Sequence, residues 1–75
     1  MKIRLDHVGI AVPNLESGSR FWRILGLIEG NDEVNTEQGV NIRFFSTTDA
    51  VEPVRIELLE PLSEDSPIGK FLSNR

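Results

Sequence analysis

Residues 3–12 alternate side chains with the two-residue period of a strand, Ile3, Leu5, His7, Gly9 and Ala11 on one face and Val8, Ile10 and Val12 on the other. Pro13 ends the run, because it lacks the N–H that a sheet ladder needs. The period then lengthens. Asn14 suits a helix N-cap, and Leu15, Gly18, Trp22 and Leu25 recur at helical spacing, with Phe21 and Ile24 widening the stripe. Gly26 suits the left-handed residue that closes a helix, so the spacing predicts a helix over 14–25. Residues 27–34 read as a polar edge strand and 36–39 as a turn. A clearer strand covers 40–46, with Val40, Ile42 and Phe44 on one face and Asn41, Arg43 and Phe45 on the other. After a loop over 47–53, the most regular strand covers 54–60, where Val54, Ile56 and Leu58 alternate with Arg55, Glu57 and Leu59. A second loop over 61–65 leads to Ser66, a cap for a short last helix with Pro67 at its first position.

The predicted order is β-α-β-β-β-α, an α+β fold in one module spanning 1–75, with no repeat, linker or low-complexity tract. The long helix is expected on the sheet face of Val8, Ile10, Val12, Ile56 and Leu58, with Trp22 and Leu25 buried there against Val8, Ile10 and Ile56. The other face is assigned His7, Arg43, Arg55 and Glu57 among Leu5, Phe45 and Leu59. Charges in such a mixture make poor core and suit a wet cleft or a polar interface.

Composition narrows the classes. A chain of 75 residues buries only about 60% of its unfolded surface, and with no cysteine to staple it, association would help its stability. The 39% hydrophobic and 27% charged content is that of a soluble globular domain. A net charge of −4 argues against a nucleic-acid partner, whose phosphates call for a basic face. No apolar run approaches the roughly 20 residues of a membrane span and no signal-peptide pattern opens the chain, so a cytoplasmic location is expected.

Two residues carry candidate chemistry. His7 is the only histidine, and on its own such a residue is more often a surface group than a ligand. Glu57 could simply pair with Arg55, two residues away on the same face. Its neighbours Ile56, Leu58 and Leu59, however, mark a central strand, where a lone carboxylate is costly unless it binds something. A histidine and a glutamate on neighbouring strands begin a metal site, but a divalent ion takes four to six ligands.

The segment Asp6-His7-Val8-Gly9-Ile10-Ala11-Val12 resembles the opening strand of the vicinal oxygen chelate (glyoxalase, bleomycin resistance, dioxygenase) superfamily. Phe21-Trp22 and Leu25-Gly26-Leu27 are similar to its helix and following turn. Glu37-Gln38-Gly39-Val40, Ile56-Glu57-Leu58-Leu59-Glu60-Pro61, Asp65-Ser66-Pro67-Ile68 and Lys70-Phe71-Leu72 make the chain most like the first half of a methylmalonyl-CoA epimerase. The resemblance implies a βαβββ module that pairs with a second one around a divalent ion (cobalt, manganese, zinc or nickel), each module giving one ligand from its first strand and one from its last. On this chain those ligands fall on His7 and Glu57. The implied reaction is isomerisation of an acyl-CoA-type thioester by removal of the proton alpha to its carbonyl. No catalytic acid or base is assigned, since Asn41, Ile42 and Arg43, on the strand where one would be sought, include no carboxylate. A second module or a second copy of the chain is the expected partner. The competing readings are a glyoxalase-like lyase or ring-cleaving dioxygenase, a non-catalytic small-molecule binding module like the bleomycin-resistance proteins, and an inactive half-enzyme that self-associates.

Overall fold

A computed structural model describes residues 7–47 and 54–74. The elements follow the predicted order: β1 (His7–Ala11), α1 (Leu15–Ile24), β2 (Ile28–Asn35), β3 (Val40–Ser46), β4 (Arg55–Pro61) and α2 (Pro67–Ser73). Ile3 and Leu5 of the first predicted strand, and most of the 47–53 loop, lie outside the described residues. The four strands form one sheet in the order β1-β4-β3-β2. β2, β3 and β4 are antiparallel neighbours, whereas β1 runs parallel to β4, so β4 and β3 are the interior strands and β1 and β2 the edges. Among the described residues no helix is long and apolar enough to cross a membrane.

The long helix is closed at both ends by residues suited to the task. Asn14 accepts a hydrogen bond from the Ser17 N–H at 3.1 Å through its Oδ1. The first helical amide, Leu15 N–H, donates to Glu60 Oε2 at 2.9 Å, and Glu60 Oε1 accepts from Asn41 Nδ2 at 3.0 Å. A carboxylate from β4 thus satisfies an otherwise orphan N–H at the positive end of α1 while tying β3 to the same point. At the other end Gly26 takes a φ of +84°, a conformation costly for residues with a Cβ, and turns the chain into β2.

The core lies between α1 and the sheet. Val12, Leu15, Phe45 and Leu58 are its buried members, with Ile10, Trp22, Leu27 and Ile56 packed around them. The helix approaches closely: a Cβ at Gly18 would stand 2.9 Å from Val12 Cγ1. Two expectations are corrected. Leu25 is not in the core but is the C-cap of α1 and 56% exposed, because the inward line of the helix is Leu15, Gly18, Ser19 and Trp22 and the helix ends before it reaches 25. Arg43 and Phe45 lie on the α1 face rather than beside His7, because β3 pairs with β4 in the register Arg43↔Leu58 and Phe45↔Ile56. Side chains directly opposite share a face, and a slip of one residue inverts the whole strand.

Truncation should separate these layers. Phe45→Ala, at a position with no solvent exposure, should cost about 3–5 kcal/mol, and Trp22→Ala should abolish or nearly abolish folding. Leu25→Ala should stay within about 0.5 kcal/mol of wild type. Urea unfolding of the three variants checks the ranking, and a large cost at Leu25 would contradict the placement of the helix.

Candidate functional site

His7 opens β1, and Glu57 lies in the middle of β4, the strand beside it. The parallel register sets His7 abreast of Arg55 and Gly9 abreast of Glu57. Since Ile56 and Leu58 point to α1, His7 and Glu57 both point away from it, as strand parity predicts. Their side chains converge diagonally, with His7 Nε2 3.9 Å from Glu57 Oε2. The imidazole is 49% exposed and the carboxylate 17%. Around them on the same face lie Gly9, Leu59 of β4 and Phe44, which stands directly across from Glu57 on β3.

The donor set suits a divalent transition ion, which takes imidazole nitrogen and carboxylate oxygen readily. Two donors each about 2.0–2.2 Å from one ion lie at most about 4.4 Å apart, so the observed separation of 3.9 Å is within reach of a shared ion. Two ligands do not complete a coordination sphere. Among the described residues no group of three or more histidine, cysteine, aspartate or glutamate side chains gathers to finish it.

Arg43, expected beside this pair, serves another purpose. Its side chain is only 15% exposed beneath α1. The guanidinium forks onto Asp32, Nε to Oδ1 at 2.8 Å and Nη2 to Oδ2 at 2.9 Å, and Nη1 donates to Ser19 Oγ at 3.1 Å. Ser19 is fully buried and donates in turn to the Leu15 carbonyl at 2.6 Å. Arg23 bridges the same region, Nη1 to Glu16 Oε1 at 2.7 Å and Nε to Glu29 Oε1 at 2.7 Å. Arg23 holds the Glu16 and Glu29 carboxyls below the ordinary carboxylate range through hydrogen bonds, and Arg43 does the same for Asp32. This ionic cluster and the Glu60 brace are absent from the sequence reading. The available signal was parity: Glu60 continues the inward series Ile56, Leu58, and Ser19 is a polar residue on the inward line of the helix.

A separate recess of about 460 Å³ is lined by Pro13, Pro61, Ser63, Glu64, Gly69, Leu72 and Ser73. It lies toward the far ends of β1 and β4 and includes neither His7 nor Glu57.

Comparison with known proteins places the chain. The family model of the Glyoxalase/Bleomycin resistance protein/Dioxygenase superfamily matches residues 6–74. The chain is 41% identical to YqjC of Bacillus subtilis over 73 residues, covering 96% of this chain and 49% of that one. It is 41% identical over 70 residues to the ethylmalonyl-CoA/methylmalonyl-CoA epimerase of Cereibacter sphaeroides, covering 92% and 49% respectively. Its structure superposes on Streptomyces coelicolor methylmalonyl-CoA epimerase, solved in complex with 2-nitronate-propionyl-CoA, with a TM-score of 0.85 at 37% identity over 96% of this chain and 52% of that one. The chain spans about half the length of the curated relatives it matches.

The ionic cluster makes an acid-side prediction. The three carboxyls are lowered from ordinary values of 4.5, 4.5 and 3.8, so the unfolded chain binds protons more readily than the folded one. Their contribution is therefore complete above about pH 5 and is lost as pH falls through and below those values. Arg23→Met combined with Arg43→Met should flatten the decline of the urea midpoint between about pH 5 and 2. An unchanged acid limb would show that the cluster does not couple protons to folding.

Proposed function

Because the chain belongs to the glyoxalase/bleomycin resistance protein/dioxygenase superfamily, we propose that it is one half of a metal-dependent epimerase acting on methylmalonyl-CoA-type thioesters, with His7 and Glu57 as two of the metal's ligands. The observation that carries this reading is the convergence of His7 Nε2 and Glu57 Oε2 at 3.9 Å on the sheet face away from α1. The similarity to acyl-CoA epimerases along nearly the whole chain supports the substrate class. When bound, the ion supplies Lewis acidity to the thioester carbonyl and so acidifies the proton alpha to it.

The chain's own residues then divide the work. His7 would offer the ion an imidazole nitrogen and Glu57 a carboxylate oxygen. β4 holds both in place: it carries Glu57 directly and fixes β1, and with it His7, through the parallel ladder. β3 offers no carboxylate or imidazole for proton transfer, because Val40, Ile42, Phe44 and Ser46 are the residues that share the face of the pair, while Asn41 and Arg43 turn to the helix side and are held by Glu60 and Asp32. In this reading the acid, the base and the remaining ligands come from a second module or a second copy of the chain. A symmetric pair of copies would bring two histidines and two glutamates to one ion and leave positions for substrate oxygens.

A second reading is an inactive half-module that self-associates. It is favoured by the two-ligand count among the described residues.

Deuterium incorporation at the alpha carbon of methylmalonyl-CoA in D2O, with cobalt added, tests the first reading. Wild type should exchange the proton, and His7→Ala and Glu57→Gln should fall to the uncatalysed rate while retaining wild-type melting temperatures. Light scattering with and without cobalt should show a dimer that weakens in chelator and in His7→Ala. A dimer equally stable in both, with no exchange, would leave the inactive half-module in its place.

A further inference from the structure

Gly9 lies in the middle of a strand, where glycine has a cost: it loses more freedom on folding than alanine and packs no side chain. The fold itself gives no return for that cost. Positive φ is found at Gly26 and Gly39 but not at Gly9. The β1–β4 ladder runs from His7 to Ala11 without a shift, so there is no bulge for glycine to relieve. Nor is the position crowded by the described residues. A Cβ at Gly69 would stand 2.4 Å from the Ser63 carbonyl oxygen and one at Gly18 2.9 Å from Val12, whereas a Cβ at Gly9 would meet only Leu59 Cδ1, at an ordinary 3.5 Å. A strand glycine without positive φ, bulge or crowding is the mark of a place approached closely by something outside the chain.

The location says what approaches. Gly9 is abreast of Glu57 and two residues from His7, on their face of the sheet, and it is exposed. The carbonyl and carboxylate oxygens of a malonyl-type thioester flank one carbon, so a ligand held by those oxygens near His7 and Glu57 brings that carbon's alkyl substituent within a few ångströms of the pair. We propose that Gly9 is a specificity-determining position, the missing side chain leaving room for the alpha substituent of a small 2-alkylmalonyl thioester. The proposal rests on the epimerase reading and adds the part of the substrate that this strand reads. The nearest competing occupant is the backbone of a second copy.

The test compares wild type, Gly9→Ala and Gly9→Val with methylmalonyl-CoA and ethylmalonyl-CoA, which differ by one methylene at that substituent. Melting temperature of the metal-free protein, light scattering, calorimetric binding of each thioester to the cobalt-loaded protein and exchange kinetics are measured on all three. Gly9→Ala should melt at or a few degrees above wild type, since alanine restricts the unfolded chain. Its affinity and kcat/KM should fall for both thioesters, with ethylmalonyl-CoA losing at least about tenfold more than methylmalonyl-CoA, the order expected of one methylene in a filled pocket. Gly9→Val should extend the trend, and if it fails to fold, the alanine variant alone decides. A lowered melting temperature in Gly9→Ala would make the glycine structural, and loss of dimer in that variant would assign the space to the second copy. Equal losses for the two thioesters would end the proposal while leaving the epimerase reading intact. A cobalt-loaded wild type that binds neither thioester would end both.

Discussion

The parallel pairing of β1 with β4 is the constraint on which the rest of this molecule depends. Neither strand is long, and they are far apart in the chain, so their ladder closes a loop of more than forty residues at an entropic cost that burial must offset. On the α1 side that burial comes from Ile10, Val12, Ile56 and Leu58. On the other side the same register brings an imidazole to a carboxylate. Shifting the ladder by one residue would invert β1 against β4, turning Ile10 away from the core and His7 beneath the helix, on the opposite face from Glu57, so core and candidate site are two consequences of one alignment.

That linkage explains why the elements and the site pair were legible in the sequence while one face was not. Within a strand, parity is a local property: residues two apart share a side, and the groupings in β3 and β4 hold in the structure. Which group of β3 meets which group of β4 depends on register between strands, and nothing local specifies it. Arg43 invited the wrong choice because its charge suggested a wet face. In the structure Asp32 and Ser19 supply the partners that let it lie beneath the helix. Leu25 misled for a different reason. Helical periodicity extends a stripe as long as apolar residues recur, but the helix ends at Ile24 and its last apolar positions fall outside the core.

The site half of the molecule shows how little of its chemistry one module carries. The described residues bring together two donors and no carboxylate or imidazole on the neighbouring strand, and the side chains beside them are the apolar Phe44 and Leu59 and, abreast of His7, Arg55. This is the composition of a wall rather than a pocket. It holds one side of a ligand and leaves the other to be supplied from outside.

The helix, finally, is attached to the sheet by two unlike means. One flank rests on burial, through Leu15, Trp22 and the close approach of Gly18 to Val12, and the other on charge, through Glu16, Arg23, Arg43 and their partners. These respond to different variables. Apolar burial weakens on cooling and is strengthened by sulfate or phosphate salts, whereas exposed ion pairs are screened as ionic strength rises, over a Debye length that shortens to about 3 Å at 1 M. A change of salt therefore does not loosen or tighten this helix uniformly. It tilts the balance between its two flanks, and the fulcrum lies near Ser19, the buried hydroxyl that touches both regimes.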